Sequence, residues 1–433
     1  MVTAEFELAQ YEVNYVDYNN NIIANVLYDI GEEGVYEGAT PYRAPDENYA
    51  YIFTGWDKES VTDTASVYAQ YEAVPYTKIE NEEQLKAITG NGYYFLMNDI
   101  TLSGKWTPIE TFSGVLDGNG HKISNLDPLI VEEYHSISIR TTYYSGFFKN
   151  LNGTVINLAF EVNGSGELDK DDYLRVGAIA AEMSGARIEN CYVKGSMNYI
   201  AKDTVYAGVM AGYAYSGEVR NCYTEVDISV NSDKYAYVAG LAYVENNINL
   251  FTSYSNSTVQ TGTNGKAYIF VNDYNRAYSC FYNSEKRNGA TVYGASALTT
   301  EKFKLLSSYV FSNKCTWDFG KVWNLDNTIN GGLPSLKTFG TNQITATTES
   351  SSYSNRLATA KINFSAPIKG MTFVKAYGAN GKVLNSEMST ITETYNTLDV
   401  EVEVKEKPED IKVFVWENIA NIKPVVMETL EIE

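Results

Sequence analysis

A repeat of about 31 residues in the middle of the chain constrains its fold more than any other feature. Small residues recur at steps of 32, 31, 31 and 31 residues, at Gly114, Gly146, Gly177, Gly208 and Ala239. A second column runs through Leu126, Leu158, Cys191, Cys222, Ser253 and Cys280, directly preceded by Asn125, Asn157, Asn190, Asn221, Thr252 and Ser279. A repeat of this length with short β segments cannot bury its own apolar face and must stack on its neighbours. The centre of the chain is therefore predicted to be a solenoid.

The segment ARIENCYV (186–193) predicts how each coil bends. Ile188 and Cys191 are both apolar but three positions apart, so a straight strand would send them to opposite faces. A corner at Asn190 resolves this, because asparagine tolerates the left-handed backbone region and its amide can bond to the asparagine of the next coil. The pattern predicts a right-handed parallel β-helix with an inward ladder formed by Asn125, Asn157, Asn190 and Asn221. The three cysteines of the column would then be inward-facing free thiols, because parallel side chains about 4.8 Å apart suit a disulfide torsion poorly.

Composition and charge exclude several classes of protein. Tyr at 36 outnumbers Phe at 17, and the many strand-compatible residues and Gly/Asn turns indicate an all-β chain. A net charge of −21 argues against nucleic acid and anionic membranes as partners. No apolar run approaches the roughly 20 residues needed to span a bilayer, so membrane insertion is not expected.

Residues 1–75 predict a small module ahead of the solenoid. Alternating strands around YEVNYVDYNNNIIANVLYDIG lead to YIFTGWDKE (51–59) and SVYAQYE (66–72), with Trp56 as a core residue. This pattern resembles the Listeria–Bacteroides, or internalin B type, repeat, which implies a β-grasp-like fold and a spacer or partner-binding role on a bacterial surface. Residues 1–12 resemble the end of a preceding unit, so the chain is expected to be part of a longer protein.

Residues 76–340 are assigned to the solenoid and its cap. IENEEQLKAITG (79–90) predicts one helix, with Asn81 as N-cap and Gly90 at its end, placed to cover the open end of the stack. SGFFKNLNGTVINLAF, VGAIAAEMSGARIENCYV and AGVMAGYAYSGEVRNCYT are similar to the GLUG motif of bacterial surface β-helices. FSGVLDGNGHKISNL (112–126) resembles the first coil of such arrays and VWNLDNTINGGLPSLK (322–337) their end; the motif implies no chemistry.

The C-terminal part is expected to hold a third module. Residues 341–356 are rich in Ser and Thr and predict a linker. Residues 357–433 contain four or more alternating strands separated by turn signals, which predict a β-sandwich. The segment VFVWENIANIKPV resembles the last strand of sandwich modules in secreted proteins and glycan-degrading enzymes of Gram-positive anaerobes.

Motifs for common catalytic chemistry are missing from the sequence. There is no HExxH, which excludes a zinc protease, and there is no GxSxG or phosphate-binding loop. The two histidines, His121 and His135, lack a second ligand at metal spacing. The best metal candidate is ELDKDD, where Asp169, Asp171 and Asp172 could begin a Ca²⁺ site or form a solvated acidic loop. No other cofactor is expected.

A β-helical polysaccharide lyase is the main enzymatic alternative. Such a site needs several basic residues on one outer face, because its substrate is anionic. Arg187 and Arg220 come near a column, but Glu189 and Glu218 adjoin them, which favours ion pairing between coils. We therefore expect that the chain is not an enzyme.

An aromatic column is the predicted binding site. If Cys191 points inward, Tyr192, Tyr223, Tyr254 and Phe281 point outward at one position in successive coils. Rings about 4.8 Å apart could stack on sugars, or simply on one another. The sequence thus predicts an extracellular, cell-wall or cell-surface protein of Gram-positive origin that acts as an adhesin-like scaffold for a glycan or host protein. A filament or stalk subunit is a further alternative.

Overall fold

The computed structural model divides the chain into two compact units, residues 1–339 and residues 340–433. The residues it describes are 10–36, 38, 40–133, 140–272, 276–309, 317–319, 321–326, 329–339, 346–378, 382–408, 410–416 and 426–431. His135 and residues 1–9, part of the predicted remnant of a preceding unit, lie outside the described residues.

The first unit begins with a four-stranded sheet. Its strands are β1 (Gln10–Val16), β2 (Ile22–Asp29), β3 (Tyr49–Trp56) and β4 (Ala65–Pro75), in the order β2-β1-β4-β3. The two hairpins are antiparallel, and β1 runs parallel to β4, as in a β-grasp sheet. Trp56 packs against Tyr15, Tyr36 and Phe53, with ring centroids 5.0, 4.8 and 5.5 Å away. The predicted β-grasp-like module with a tryptophan core is therefore present.

A short helix covers the first coil of the solenoid. This helix, α1 (Glu82–Lys86), lies between strands β5 (Thr77–Ile79) and β6 (Tyr93–Leu96). Asn81 caps it by accepting a hydrogen bond from the Gln84 amide at 3.0 Å. Leu85 is buried in the main solenoid core. The helix is shorter than the predicted span 79–90 because Ile79 belongs to a strand and the chain turns before Gly90, whose φ is +51°.

The solenoid is built from short parallel strands that repeat coil by coil. They are β7 (Ile100–Thr101), β8 (Ile109–Phe112), β9 (Val115–Asp117), β10 (Lys122–Leu126), β11 (Val131–Glu133), β12 (Thr142–Ser145), β13 (Phe148–Leu151), β14 (Thr154–Ile156), β15 (Ala159–Leu168), β16 (Tyr173–Val176), β17 (Ala180–Met183), β18 (Ala186–Glu189), β19 (Tyr192–Ala201), β20 (Val205–Gly208), β21 (Ala211–Arg220), β22 (Tyr223–Ser232), β23 (Ala236–Ala239), β24 (Ala242–Phe251), β25 (Tyr254–Ser255), β26 (Thr258–Thr261), β27 (Gly265–Tyr268), β28 (Ala277–Tyr278), β29 (Phe281–Asn283) and β30 (Ser296–Leu298).

These strands form three faces, and each face is a sheet. Face A carries β7, β10, β15, β19, β22, β25, β26, β29 and β30; face B carries β11, β12, β16, β20, β23 and β27; face C carries β8, β9, β13, β14, β17, β18, β21, β24 and β28, together with β5 and β6. Strands of successive coils pair in parallel, for example Tyr192 with Tyr223 and Lys194 with Glu225, which are 31 residues apart. Among the solenoid strands that the structure describes, only β11 pairs antiparallel, against β12. The predicted parallel β-helix is confirmed.

The interior of the helix is apolar and closely packed. Val176, Ile188, Val193 and Val219 are fully buried. At the turn from face B to face C, a Cβ on Gly208 would lie 2.2 Å from the Ala211 carbonyl oxygen. The small-residue column therefore lets consecutive strands approach closely at this corner.

A ladder of side-chain hydrogen bonds runs along one inner corner. Asn221 donates to Asn190 and Asn190 donates to Asn157, each at 3.2 Å. Asn157 donates to the Asp117 carboxylate at 3.1 Å, and the Thr252 hydroxyl donates to Asn221 at 2.5 Å. Asn157, Asn190 and Asn221 all have φ of 50–52°, in the left-handed region. The asparagine corner thus turns each coil and links it to the next.

Asn125 does not belong to this ladder, and its predicted place there is wrong. Its amide donates to the Leu102 carbonyl at 2.8 Å instead. Leu116 pairs with Val155, so the first coil is longer than the ungapped alignment of residues 114–126 with 146–158 assumed. The turn after Asp117 has four residues before Lys122, where the next coil has two between Ile156 and Ala159. Asp117, rather than Asn125, is therefore the first member of the ladder.

The described residues between 299 and 339 pack against face A of the solenoid as a lateral cap. They contain α2 (Thr300–Phe303), 3₁₀ helices Leu306–Tyr309 and Asn330–Gly332, and the hairpin β31 (Trp323–Asn324) with β32 (Ser335–Leu336); a further 3₁₀ turn, Ser284–Lys286, precedes them. Phe303 and Trp323 are fully buried. We call residues 299–339 the lateral cap.

The second unit is an antiparallel sheet. Its strands are β33 (Ala346–Ser354), β34 (Leu357–Gly378), β35 (Lys382–Glu403), β36 (Asp410–Trp416) and β37 (Val426–Glu431). The first half of β34 pairs with β33 and its second half with β36, while β35 follows it along most of its length. Much of the segment 341–356 is thus a paired strand and not the predicted linker, because Ser and Thr are tolerated on an exposed edge strand.

Candidate ligand-binding surface

The predicted aromatic column exists on face A, but it is not a free surface. The rings of Tyr192 and Tyr223 stack at 4.9 Å and those of Tyr223 and Tyr254 at 5.0 Å, with an interplanar angle of 1° for the second pair. Tyr223 is only 3 % exposed and Tyr254 is 0 % exposed, while Phe281 is 5 % exposed. The sequence left open whether these rings stack on sugars or on one another, and in the structure they stack on one another.

The lateral cap is the reason for this burial. Phe303 and Trp323 lie 5.2 and 6.0 Å from the Tyr254 ring, and Phe339 lies 4.8 Å from Tyr192. The Tyr254 hydroxyl donates to the Pro334 carbonyl at 2.7 Å. A sugar cannot reach rings that are already covered, so the prediction of Tyr192, Tyr223, Tyr254 and Phe281 as a glycan site is wrong.

The predicted calcium ligands do not converge. Asp169 pairs with Lys202 at 2.5 Å, and Asp171 lies 3.6 Å from Lys234. Asp172 accepts a hydrogen bond from the Thr141 amide at 2.9 Å. Lysines of the following coils thus form ion pairs with Asp169 and Asp171. The described residues contain no group of three or more acidic, His or Cys side chains that could hold a metal. Of the two alternatives for Asp169, Asp171 and Asp172, these separate contacts favour the solvated acidic loop over the beginning of a Ca²⁺ site.

The arginines of face C form ion pairs within the sheet. Arg187 contacts Glu189, and Arg220 lies 2.7 Å from Glu218. Burial lowers the pKa of Arg187 to about 10. Each pair joins residues two positions apart on one strand, and not residues of different coils as expected from the sequence. The pairing leaves Arg187 and Arg220 poorly placed to bind an anionic polymer.

A second cluster of tyrosines lies on the outside of the helix, where face B meets face C. Arg175, Tyr206, Tyr237 and Lys266 occupy one outward position in successive coils of face B. Across the turn, Tyr213 follows Glu182 on face C. We call this surface the tyrosine corner; its tyrosines are Tyr206, Tyr213, Tyr215, Tyr237, Tyr243 and Tyr268.

The tyrosine corner is concave. Val205 and Ala207 on either side of Tyr206 are both buried in the core, so Tyr206 points outward, and the same holds for Tyr243 between Ala242 and Val244. Nevertheless the Tyr206 and Tyr243 rings are only 5.0 Å apart. Outward side chains of two adjoining faces can touch only if the two faces fold toward each other on that side.

Rings in this corner form a packed but accessible group. Tyr206 lies 4.9 Å from Tyr213 and 5.4 Å from Tyr237, and the latter pair is stacked with an interplanar angle of 10°. Tyr213 and Tyr243 are 9 % and 8 % exposed, whereas Tyr206, Tyr215, Tyr237 and Tyr268 are half-buried. The corner therefore has an aromatic floor and partly exposed ring edges.

Charged groups border the aromatic floor. The Arg175 guanidinium lies 3.9 Å from the Tyr213 ring centre and donates to the Tyr215 hydroxyl at 3.3 Å. Glu182 forms an ion pair with Arg175. Burial, followed by a hydrogen bond with Glu245, raises the pKa of Tyr213 far above its usual value. The Tyr213 phenol therefore remains a neutral hydrogen-bonding group at physiological pH.

Such a surface suits a neutral polyhydroxylated ligand. Ring faces and edges can pack on the apolar C–H faces of a sugar, while phenol, guanidinium and carboxylate groups can bond to its hydroxyls. The pairing of Arg175 with Glu182 leaves no net positive charge from these two residues to attract an anionic chain.

Sequence reasoning missed this corner, although a signal was present. Tyr144, Arg175, Tyr206, Tyr237 and Tyr268 are spaced 31 residues apart, the same period as the cysteine column. In the structure Tyr144 pairs with Arg175 and Arg175 with Tyr206. A search for further columns at the known period would have found the members up to Tyr237. It would have misplaced Tyr268, which pairs with Ala239 because the step to the next coil is two residues shorter there.

Comparison with known proteins adds one structural neighbour. No protein-family model and no curated protein matches the chain. A crystal structure described as a "putative immunoglobulin A1 protease" from Bacteroides ovatus is 18 % identical, with a TM-score of 0.35, over 61 % of this chain and 93 % of that chain. That description contradicts the expectation that the chain is not an enzyme, and the expectation is withdrawn. At this TM-score the likeness assigns no activity to this chain.

Proposed function

We propose that this chain is an adhesin-like scaffold of a bacterial surface and that the tyrosine corner is its glycan-binding site. The observation that carries the proposal is the concave group of outward tyrosines, in which Tyr206 lies within 5.4 Å of Tyr213, Tyr237 and Tyr243. Exposed aromatic groups of this kind commonly mark interaction sites on protein surfaces.

Repetition favours a polymeric ligand. Tyr206, Tyr237 and the next residue of the column lie on adjacent strands, which are about 4.8 Å apart. A glycan chain lying along the helix axis would meet two stacked tyrosines, with Arg175 before them and Lys266 after them, and several weak contacts would add in one ligand.

An extracellular location is part of the proposal. The resemblance to GLUG arrays and to an internalin B type repeat supports it, as does the net charge of −21, which disfavours nucleic acid. Within the described part of the chain, none of the helices reaches the length and hydropathy of a membrane-spanning segment.

A glycan array followed by calorimetry tests the proposal. The full chain should bind a neutral glycan, and Tyr206→Ala or Tyr237→Ala should weaken that binding at least about tenfold, since stacked aromatic contacts at hot spots contribute roughly 1–2 kcal/mol or more.

Tyr68→Ala is the matched control. Tyr68 is 42 % exposed on strand β4 of the N-terminal module, outside the tyrosine corner, so its loss should leave glycan affinity unchanged. Equal affinity of the wild type and both corner variants for every glycan bound would overturn the proposal. Assaying bound glycans for cleavage products would reveal catalysis.

A further inference from the structure

Three reactive groups meet where the lateral cap touches face A. The Lys194 amine lies 2.6 Å from the Asn330 side-chain oxygen and 3.1 Å from a Glu225 carboxylate oxygen. Lys194 and Glu225 are paired neighbours on β19 and β22, whereas Asn330 comes from the cap, 136 residues after Lys194. An amine, a carboxamide and a carboxylate from three separate segments are thus in direct contact.

The carboxamide of Asn330 is held in one orientation. Its nitrogen donates to the Tyr254 hydroxyl at 2.9 Å and to the Pro334 carbonyl at 3.0 Å, which turns its oxygen toward Lys194. The carboxamide carbon is one C=O bond, about 1.2 Å, beyond that oxygen. An amine and a carboxamide held in contact gain a proximity advantage for reaction with each other.

The surroundings are largely aromatic. The Lys194 amine lies 5.6 and 5.7 Å from the ring centres of Tyr192 and Tyr223. Glu225 is kept beside the amine by Asn256, whose amide donates to its other oxygen at 3.3 Å. A carboxylate in direct contact with an amine is placed to accept its proton when the amine attacks a carbonyl group.

We propose that Lys194 and Asn330 form an intramolecular isopeptide bond, with Glu225 as the catalytic proton acceptor. Glu225 removes a proton from the Lys194 ammonium, and the free amine attacks the Asn330 carboxamide carbon. In the tetrahedral intermediate the attacking nitrogen loses a second proton, by way of Glu225, to the amide nitrogen. The C–N bond to that nitrogen then breaks, and it leaves as ammonia, which carries away the first proton as ammonium. One secondary amide replaces one primary amide, and no oxidant, reductant or cofactor is consumed.

The bond would fasten the lateral cap to the sheet it covers. It would join β19 to residues 329–339 and so lock the aromatic column beneath the cap. A covalent tie of this type restricts the unfolded chain as any cross-link does, and the 136-residue separation makes the closed loop long.

Intact-mass measurement of the purified full chain tests the proposal. The wild-type mass should be lower than the sequence mass by one ammonia, and digestion should release a branched peptide that contains Lys194 and Asn330. A wild-type mass equal to that of the sequence would overturn the proposal.

Variants separate the isopeptide from a competing reaction. Asn330 precedes Gly331, so cyclisation to a succinimide would also lose ammonia, but without Lys194 or Glu225. Lys194→Arg and Glu225→Gln should therefore both restore the sequence mass. Persistence of the loss in Lys194→Arg, or a linear peptide carrying it, would assign it to Asn330 alone and refute the cross-link. Circular dichroism on each variant checks that the fold is retained.

Discussion

The carboxyl group of Asp117 is fully buried at the N-terminal end of the ladder. It accepts hydrogen bonds from the Asn119 amide at 2.9 Å, from Asn157 at 3.1 Å, and from the hydroxyls of Tyr42 and Tyr93 at 3.0 and 3.2 Å. Burial raises the pKa of Asp117, and these four donors oppose the shift. The residue therefore couples the stability of the solenoid to pH.

We expect Asp117→Asn to change the pH dependence of stability. Because the folded pKa lies above the ordinary value of 3.8, the folded state favours the protonated form. The stability that Asp117 contributes to the fold is therefore complete below pH 3.8 and is lost as the pH rises through the folded pKa. Melting temperatures of both proteins, measured from about pH 3 to about pH 8, should show the wild type losing stability relative to the variant as pH rises.

Asp203→Asn is the control with the opposite sign. Burial raises the pKa of Asp203, but hydrogen bonds with Lys234 and Thr204 lower it overall. Here the stability of the wild type relative to the variant should increase as pH rises. It should decrease as pH falls through the folded pKa. A pH-independent difference between wild type and Asp117→Asn would contradict the first expectation.

Asn221 should contribute to stability in two separable ways. Replacing it by alanine removes bonds to Asn190 and Thr252, at a cost of about 1–3 kcal/mol for buried groups left unpaired. It also places alanine at φ 51°. In this left-handed conformation alanine lacks the side-chain hydrogen bonds that let asparagine tolerate it, which costs about 1–2 kcal/mol more. Asn221→Gly keeps the conformation and loses only the amide, so denaturant unfolding should rank it between the wild type and Asn221→Ala. Equal stability of the two variants would show that the backbone conformation contributes nothing.

At the scale of elements, the lateral cap and the aromatic column depend on one another. Trp323 is fully buried and lies 6.3 and 6.0 Å from the rings of Tyr223 and Tyr254. Without the cap, face A would expose a row of stacked rings. With it, these rings become a second apolar core beside the helix interior.

Trp323→Ala should loosen the cap while leaving the coils intact. Truncation of a buried Trp costs about 3–5 kcal/mol. Hydrogen exchange should increase in residues 329–339 and leave the amides of β17 and β18 protected. Trp56→Ala, in the N-terminal module, is the control and should leave exchange in the cap unchanged. Uniform loss of protection along the solenoid would mean that the cap is part of the same cooperative unit.

The elements also explain what the sequence could and could not predict. The period of 31 was sufficient to place the corners at Asn157, Asn190 and Asn221, because each coil repeats the same local turn. The alignment of residues 114–126 with residues 146–158 misplaced Asn125. The first coil is irregular, and the repeat period of the later coils does not give its length. Burial of Tyr254 by the cap was not predictable from the period, because residues 299–339 do not repeat and their contacts are long-range.

For the molecule as a whole, the N-terminal module contacts the solenoid at the start of the ladder. Tyr42 comes from the segment between β2 and β3, and its hydroxyl reaches Asp117, 75 residues later. Thr40, Tyr51 and Phe53 of the module line a cavity of about 230 Å³ together with Val115 and Asn157 of the solenoid. The module is therefore anchored by a buried polar contact as well as by apolar packing.

Tyr42→Phe should weaken this attachment. It removes one donor from a buried carboxylate, which costs about 1–3 kcal/mol. Hydrogen exchange in Tyr93–Leu96 and Val115–Asp117 should increase, whereas Tyr68→Phe, at an exposed position, should have no effect. Unchanged exchange in both strands would show that apolar packing alone holds the module.

The ladder has a direction that follows from its chemistry. Thr252 donates to Asn221, Asn221 to Asn190, Asn190 to Asn157, and Asn157 to Asp117, so every donor points toward the N-terminal end. An amide can receive a hydrogen bond on one side and pass one on at the other, whereas a carboxylate can only receive. The aligned amide dipoles therefore sum along the corner, with their positive end at Asp117, as peptide dipoles do along an α-helix. A coil inserted in the middle could extend the chain of dipoles if it carried asparagine at this position, and an aspartate there would interrupt it.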